Sequence, residues 1–263
     1  MTFKEKFLTE GKIEDCPIID MHAHGEKFYG ATLPLTDLDK SIEYFRYCNV
    51  KKLAIVTHSA GHSPNINNTV SLKWAKEHPE YFRVWLGINP NYPELYKQAF
   101  LDFENNDCVL GFKTLGDYFR KPLSDDLFRP VFEYANEKGC GFLLHTWEGP
   151  FDSAKEVEYV LKNYPNIKVS AGHSLHGEFD RARNFALDYP NFYMDIVAVP
   201  DEREVIEKWF SEPKVVDKIF FGTDYPWFSY HYYLGGLLDT GLDEESIRKI
   251  CYKNAERVFP KMK

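Results

Sequence analysis

The stretch IIDMHAHG, from Ile18 to Gly25, ends an apolar run with two histidines that are one residue apart. If the run is a β-strand, alternate side chains share a face, so His22 and His24 point the same way, with Asp20 one step earlier on that face. Two neutral imidazoles that converge on one point favour a metal site.

Seven further apolar runs have the character of strands. They are KKLAIVTH from Lys51, RVWLGINP from Arg83, VLGFKTL from Val109, GFLLHTW from Gly141, IKVSAGHS from Ile167, FYMDIVAV from Phe192 and KIFFGTDYP from Lys218. Apolar residues between the runs recur at helical spacing, as at Ala154, Val157 and Leu161. Strands that alternate with helices pair in parallel, so these eight units predict an α/β fold, a closed (β/α)8 TIM barrel, with a doubly wound open sheet as the alternative.

The chain has no long linker, low-complexity segment or change of composition, which predicts one domain over residues 1–263 with residues 1–17 as an amino-terminal extension. This extension is charged and lacks the apolar core of a signal peptide. No later run approaches the roughly 18 apolar residues of a spanning helix. We therefore expect a cytoplasmic protein without a membrane partner.

Charge and cysteine content limit the partners further. The formal net charge is −8, and no basic stripe could follow a phosphate backbone, so nucleic acid is not an expected partner. The five cysteines are scattered and form no CxxC pair, which argues against both a disulfide framework and a thiolate metal site. We expect a small-molecule substrate and, by default for an enzyme of this size, a homodimer.

Most of the nine histidines lie at or just after the predicted strand ends. They are His22, His24, His58, His62, His145, His173, His176 and His231, and only His78 lies elsewhere. Because a parallel barrel builds its catalytic face from the carboxyl ends of its strands, these histidines are expected to share that face. Taken singly, His58, His62, His176 and His231 fit hydrogen-bonded core or surface positions better than ligand positions.

Barrel closure brings together the ends of the first, fifth and eighth strands. His22, His24 and His145 then meet Asp224, which lies in FFGTDYP. Three imidazoles and one carboxylate suit a divalent metal, with zinc as the first choice and manganese, iron or cobalt as alternatives.

These residues resemble the amidohydrolase superfamily. Asp20-Met21-His22-Ala23-His24 matches its DxHxH signature, and His145, His173 and Asp224 occupy the expected ends of strands five, six and eight. The GTDYP segment and the last helix, residues 254–259, resemble the branch called amidohydrolase 2, which holds hydrolases, lactonases and aminocarboxymuconate-semialdehyde-type decarboxylases. The resemblance covers the chain after its first seventeen residues.

The resemblance implies four ligands to one divalent metal: His22, His24, His145 and Asp224. It also places His173 near the bound water or substrate. Lys113, at the end of the fourth strand, has three interpretations: a carboxylated bridge to a second metal, a cation for a substrate carboxylate, or a lysine that extends to solvent.

The first choice of activity is hydrolysis, in which a metal-activated water attacks an amide, lactone or ester carbonyl. Asp224 would act as the base, and His173 would polarise the carbonyl. A non-oxidative decarboxylase of an aromatic or enol-like acid is the alternative. A barrel that binds a ligand without catalysis is a third hypothesis.

Substrate contacts are expected from aromatic side chains and histidine at the mouth. The predicted pocket residues are His58, Trp85, Trp147 and Tyr225, and the further rim aromatics are Phe28, Tyr29, Trp227, Phe228 and Tyr230. Asp20 is expected to orient a ligand histidine without binding the metal, and Asp195 to have a similar or purely structural role. Lys113 and Arg120 are the basic residues expected near the end of the fourth strand.

Overall fold

The strands form the predicted barrel in a computed structural model that describes residues 1–28, 30–200, 202 and 204–263. Eight parallel strands follow one another in chain order around the barrel. They are β1 (Ile18–Gly25), β2 (Val50–Thr57), β3 (Phe82–Gly87), β4 (Val109–Thr114), β5 (Gly141–Trp147), β6 (Lys168–His176), β7 (Phe192–Asp195) and β8 (Ile219–Phe220). The α/β barrel expected from the sequence is confirmed.

The last two strands are shorter than the apolar runs that predicted them, because β7 ends at Asp195 and β8 at Phe220. The extended chain after β8 nevertheless completes the ring. Met21 donates its backbone N–H to Phe221 O at 2.9 Å, and Asp224 donates its backbone N–H to His22 O at 2.8 Å. Closure therefore places Asp224 directly beside the histidines of β1.

Helices follow the strands around the outside. They are α1 (Phe3–Glu10), α2 (Leu38–Tyr47), α3 (His58–His62), α4 (Thr69–Glu77), α5 (Tyr96–Asn105), α6 (Gly116–Phe119), α7 (Arg129–Lys138), α8 (Ala154–Asn163), α9 (Phe179–Asp188), α10 (Val205–Phe210), α11 (Pro213–Val216), α12 (Tyr230–Asp239), α13 (Glu244–Arg248) and α14 (Asn254–Val258). A π-helical turn, Lys249–Lys253, joins the last two, and 3-10 turns occur at Pro93–Leu95 and Pro260–Met262. Within the described residues, no helix has the length and apolarity required to cross a membrane.

Local sequence explains where several helices begin and end. Pro130 occupies the first turn of α7, where its missing N–H costs nothing, and Gly139 ends the helix with a left-handed φ of 61°. Helix α8 buries Val157, Val160 and Leu161, which lie on one face at helical spacing. These apolar faces cover the outside of the sheet.

All five cysteines are free thiols, in agreement with the sequence.

The amino-terminal extension is tied to the barrel. Thr2 and Glu5 form a capping box at the start of α1. Phe3 is buried, and the guanidinium of Arg248 lies 4.4 Å from the centre of its ring. The extension therefore packs against the helices that close the carboxyl end of the chain.

Trp85 lies in the barrel interior rather than in the substrate pocket. It is fully buried in a cluster with Met21 and Leu143 below the site, and its ring packs edge-on against Phe259. Its indole N–H donates to Met21 O at 3.0 Å. The prediction for Trp85 was wrong because position along a strand does not show how deep an inward-facing side chain lies.

Tyr225 also fails to reach the cavity. Its ring packs edge-on against Phe45 of α2, and its hydroxyl donates to Leu35 O at 2.9 Å and to Ser41 Oγ at 3.0 Å. Tyr230 is buried behind it, with stacked rings 5.7 Å apart. These two tyrosines join the end of the barrel to α2 instead of forming its rim.

Candidate metal centre and substrate cavity

A bulge in β1 determines which side chains enter the barrel. Asp20 is paired with Leu53 of β2, and Ala23 is paired with Ile55, so three steps on β1 match two steps on β2. The extra residue turns His22 inward, whereas Asp20 stays on the outer face with Leu53. Strict alternation had placed Asp20 and the histidines on one face, and the bulge breaks that alternation.

Asp20 accordingly does not orient an imidazole. It accepts the backbone N–H of His22 at 2.9 Å and the hydroxyl of Thr223. Burial raises its pKa to about 7, although both hydrogen bonds oppose the rise. Asp20 therefore ties β1 to the chain after β8, and the role that the sequence suggested for it falls to another carboxylate.

That carboxylate is Asp195, at the end of β7. It is fully buried, and its Oδ2 lies 2.8 Å from Nδ1 of His22, which places the His22 proton on Nδ1. Its Oδ1 accepts the backbone N–H groups of His173 and Val197. His22 is thereby held with Nε2 and its lone pair directed into the site.

His24 and Asp224 form the next part of the site. His24 Nδ1 lies 3.0 Å from Val56 O, so its Nε2 also faces the site, where it lies 2.9 Å from Asp224 Oδ1. The same carboxylate oxygen lies 3.5 Å from His22 Nε2. Two imidazole nitrogens and one carboxylate oxygen therefore converge.

His173 and His145 approach from β6 and β5. His173 Nε2 lies 3.1 Å from His145 Nδ1, and His173 Nδ1 is buried without a hydrogen-bond partner among the described residues. His173, Ser174 and Leu175 have left-handed φ values of 66°, 52° and 54°. Such conformations cost free energy in residues other than glycine, so other contacts must stabilise them. The hydrogen bond from His173 N to Asp195 Oδ1 is one such contact, and it fixes the backbone that carries the His173 ring.

Ligand atoms of His22, His173 and Asp224 all lie within 4.8 Å of one another, which is close enough to hold one ion. His24 adjoins this group through Asp224, whereas His145 meets it through His173. The structure thus gathers all five predicted site residues. The nitrogen and oxygen donors and the buried, unpartnered atoms of His173 and Asp224 fit a divalent metal.

Protonation states in the cluster suit metal binding. Burial holds the pKa values of His22, His145 and His173 well below the usual range, so these rings are neutral near pH 7. Burial opposes ionisation of Asp224, but the close contact with His24 and the neighbouring imidazoles of His22 and His173 outweigh it and hold the pKa of Asp224 well below its usual value. Neutral imidazoles and an ionised carboxylate are the forms that bind metal.

Lys113 is fully buried, so it does not extend to solvent. Its amine donates to His22 Nε2 at 3.2 Å. Burial lowers the pKa of Lys113 to about 8, while the charges of Asp224, Asp195 and Asp152 limit the fall. The lone pair of His22 is therefore already directed at a cation.

A cavity of about 340 Å³ opens above this cluster at the carboxyl ends of the strands. It is lined by His24, Phe28, Val56, Thr57, His58, Gly61, His62, Gly87, Leu115, Tyr118, His145, Trp147, His173, Asp224, Trp227 and Phe228. The predicted residues His58, Phe28, Trp147, Trp227 and Phe228 lie here. Trp85, Tyr225, Tyr230 and Arg120 are not among the lining residues, and Tyr29 lies outside the described residues.

Two cavity residues were undervalued or missed. His62, for which the sequence favoured a hydrogen-bonded core or surface position, is exposed and also lines the cavity wall at the end of α3. Tyr118 of α6 places its ring edge-on to His145 at 5.2 Å. Both residues lie shortly after the end of a strand, and this position was the signal in the sequence that could have placed them in the cavity wall. His231, in contrast, lies outside the mouth, where its Nδ1 is 3.4 Å from the Tyr44 hydroxyl.

A pair of carboxylates lies behind Tyr118. Phe151 N donates to Asp117 Oδ1 at 3.0 Å, and Asp117 N donates to Asp152 Oδ2 at 3.3 Å. The remaining oxygens, Asp117 Oδ2 and Asp152 Oδ1, are buried without a partner among the described residues. Burial and the adjoining Asp117 carboxyl raise the pKa of Asp152 to about 8, so the pair retains a proton near pH 7.

This retained proton predicts a pH dependence. The unfolded chain releases the Asp152 proton near pH 4, whereas the folded chain releases it near pH 8. The contribution of Asp152 to the free energy of unfolding is therefore fully present below about pH 4 and falls by up to roughly 1.4 kcal/mol per pH unit until about pH 8. In Asp117→Asn, the amide can donate to Asp152 in place of that proton.

We expect Asp117→Asn to gain at least about 1 kcal/mol of stability over the wild type at pH 8.5, and much less at pH 5. Urea unfolding at both pH values measures the difference. Asp126→Asn is the matched control, since the side chain of Asp126 is 87% exposed. A gain that does not grow with pH would contradict the shared proton.

Solved structures with the same fold include two benzoate decarboxylases. A 2,6-dihydroxybenzoate decarboxylase from Rhizobium has a TM-score of 0.73 at 14% identity, covering 93% of this chain and 99% of that chain. A dihydroxybenzoic acid decarboxylase from Polaromonas sp. JS666 was solved with bound manganese and the inhibitor 2-nitroresorcinol. It has a TM-score of 0.74 at 14% identity, and the match covers 93% of this chain and 97% of that chain. At these identities the likeness shows the fold alone.

A third structure, 5-carboxyvanillate decarboxylase from Sphingomonas paucimobilis, has a TM-score of 0.73 at 12% identity, covering 93% of this chain and 99% of that chain. No curated protein sequence is significantly similar to this chain. The family model described as Amidohydrolase matches residues 19–261. The resemblance seen in the DxHxH strand is thereby confirmed, and this chain belongs to the amidohydrolase family.

Proposed function

We propose that this chain is a metal-dependent, non-oxidative decarboxylase of a small aromatic or enol-like carboxylic acid. The observation that carries the proposal is a cavity walled by aromatic rings that ends on the His22, His173 and Asp224 cluster, with the buried amine of Lys113 beside it. Hydrolysis, the first choice from the sequence, is not confirmed. The decarboxylase alternative draws further support from the neighbours in fold.

The metal would be held by His22, His24, His145 and Asp224, which leaves His173 for the proton step. Zinc and manganese both accept such nitrogen and oxygen donors. When bound, the metal supplies Lewis-acid polarisation of the substrate's oxygen atoms.

The remaining steps belong to the chain's own residues. Lys113 supplies positive charge at the closed end of the cavity and attracts the carboxylate there. The rings of Trp147, Trp227 and Phe28 accept a flat substrate and exclude water from it. The substrate's acidic group is thereby directed towards the histidines.

His173 is placed to deliver a proton to the ring carbon that bears the carboxylate. Its Nε2 is hydrogen-bonded to His145, which orients the ring, and its Nδ1 has no hydrogen-bond partner among the described residues. As the new carbon–hydrogen bond forms, the carbon–carbon bond breaks, its electron pair returns to the ring, and carbon dioxide leaves. The net reaction consumes one proton from solvent.

The test is turnover of hydroxybenzoic acids, including 2,6-dihydroxybenzoate, in D2O by protein loaded with manganese or zinc. We expect metal-dependent release of carbon dioxide and one deuterium atom at the carbon that carried the carboxylate. Metal content per chain is measured in parallel, because two equivalents would indicate that Lys113 is a carboxylated bridge.

Lactones, esters and amides form the comparison panel. Metal-dependent hydrolysis of these without carbon dioxide release from any acid would return hydrolysis to first place. Tight binding of the acids without turnover on either panel would support the non-catalytic barrel.

A further inference from the structure

The walls of the cavity carry almost no charge. Among the described residues, the cavity lining includes no lysine, arginine or glutamate, and Asp224 at the floor is its one acidic residue. The nearest buried amine, that of Lys113, lies behind the floor against His22. In the part of the chain that the structure describes, the positive charge nearest to the cavity therefore lies at its closed end, where the proposed metal would add to it.

His58 offers the substrate no hydrogen bond, because both of its ring nitrogens are occupied. Nδ1 lies 2.9 Å from Gly25 O, and Nε2 accepts the indole N–H of Trp227 at 3.1 Å. The ring stacks on His24 with centroids 5.0 Å apart. Because Nε2 accepts a hydrogen bond, the ring carries no proton there and forms a neutral part of the wall.

His62 and Tyr118 are different, because neither side chain has a hydrogen-bond partner among the described residues. Their rings lie 6.2 Å apart on the wall formed by α3 and α6. Tyr118 also packs against His145, so the pair extends from the metal end towards the mouth. Both residues are exposed, Tyr118 to 62%, so they offer solvent-facing polar groups at a distance from the cluster.

Both groups are neutral near pH 7. Burial and the neighbouring His24 lower the pKa of His62, and Tyr118 is a phenol, which is neutral at this pH. The pair can donate and accept hydrogen bonds, but it supplies no charge to balance an anion.

We propose that His62 and Tyr118 form a subsite for a neutral hydroxyl substituent, so that the cavity selects flat aromatic acids with a single carboxylate. This inference rests on the proposed function, because it assumes that the one carboxylate binds at the metal end. A ring hydroxyl would gain hydrogen bonds at the subsite. A second carboxylate there would lose the part of its hydration that the cavity wall displaces, and no lysine or arginine lies among the described lining residues to compensate.

The test measures binding to the metal-loaded full chain by quenching of tryptophan fluorescence, since Trp147 and Trp227 line the cavity. The probes are benzoate, 3- and 4-hydroxybenzoate, isophthalate and terephthalate. We expect the better hydroxybenzoate to bind about threefold to tenfold more tightly than benzoate. Both dicarboxylates should bind at least about tenfold more weakly than that hydroxybenzoate.

Variants assign the selectivity to the pair. Tyr118→Phe and His62→Phe should reduce the advantage of hydroxybenzoate over benzoate towards unity, and His62→Lys should raise dicarboxylate affinity relative to benzoate. Tyr159→Phe is the matched control, because it removes a hydroxyl from another partly exposed tyrosine that lies outside the cavity lining. It should leave both ratios unchanged.

Dicarboxylates that bind the wild type as tightly as hydroxybenzoates would overturn the inference, as would absence of binding by every probe. If the ratios follow expectation and no acid loses carbon dioxide, the selectivity stands and the decarboxylase proposal fails. The two failures are thus distinguishable.

Discussion

Replacing Asp224 by asparagine is expected to lower turnover by about 10²- to 10⁴-fold while the barrel stays folded. Asp224 Oδ1 lies 2.9 Å from His24 Nε2 and 3.5 Å from His22 Nε2, so it is the one carboxylate oxygen that meets both imidazoles of β1. The amide has the same shape but no negative charge. Its backbone hydrogen bond to His22 O does not depend on the side chain.

The measurement compares turnover at saturating metal with the urea unfolding midpoint. Asp126→Asn is again the control, because that carboxylate lies on the surface. Unchanged turnover on a verified substrate at full metal occupancy would contradict the assigned role. A parallel loss of folding would show instead that the carboxylate is structural.

Replacing Asp195 by asparagine is expected to weaken metal binding about 10- to 100-fold. Asp195 Oδ2 accepts the proton of His22 Nδ1 at 2.8 Å, which leaves the lone pair on Nε2. In the variant, the side-chain oxygen of the new amide can still satisfy His173 N or Val197 N, but the amide N–H group would face His22. His22 would then favour the tautomer with its proton on Nε2, which cannot bind a metal through that atom.

Asp20→Asn is the matched control for this prediction. Asp20 contacts the backbone N–H of His22 and the Thr223 hydroxyl rather than an imidazole, so metal affinity should change little. Chelator competition measures both affinities. A larger loss in Asp20→Asn than in Asp195→Asn would restore the role that the sequence suggested for Asp20 and contradict the role of Asp195.

Asp195→Ala should in addition destabilise the fold by about 3 kcal/mol or more, because it leaves the buried N–H groups of His173 and Val197 without an acceptor. The left-handed residues His173 to Leu175 would also lose support. Urea unfolding of the metal-free protein measures this loss separately from metal binding.

Short-range patterns in the sequence were sufficient to predict the barrel and the convergence of the candidate metal ligands at one mouth. Alternation of strands and helices determines parallel pairing, and parallel strands end at one mouth, so His22, His24, His145, His173 and Asp224 were predicted together. Strand ends can be recognised locally, because turn residues and polar side chains follow the apolar runs. The family model, which matches residues 19–261, confirms the family that these residues indicated.

The tertiary structure decided the face, the depth and the hydrogen-bond partners of the side chains at the barrel mouth. The bulge in β1 separates Asp20 from the histidines, and Asp195, 173 residues after His22, takes the orienting role. The depth of Trp85 and the outward packing of Tyr225 depend on neighbours that are distant in the chain. Sequence periodicity determines which residues share a strand face, but register, depth and hydrogen-bond partners depend on packing between elements, which no local pattern encodes.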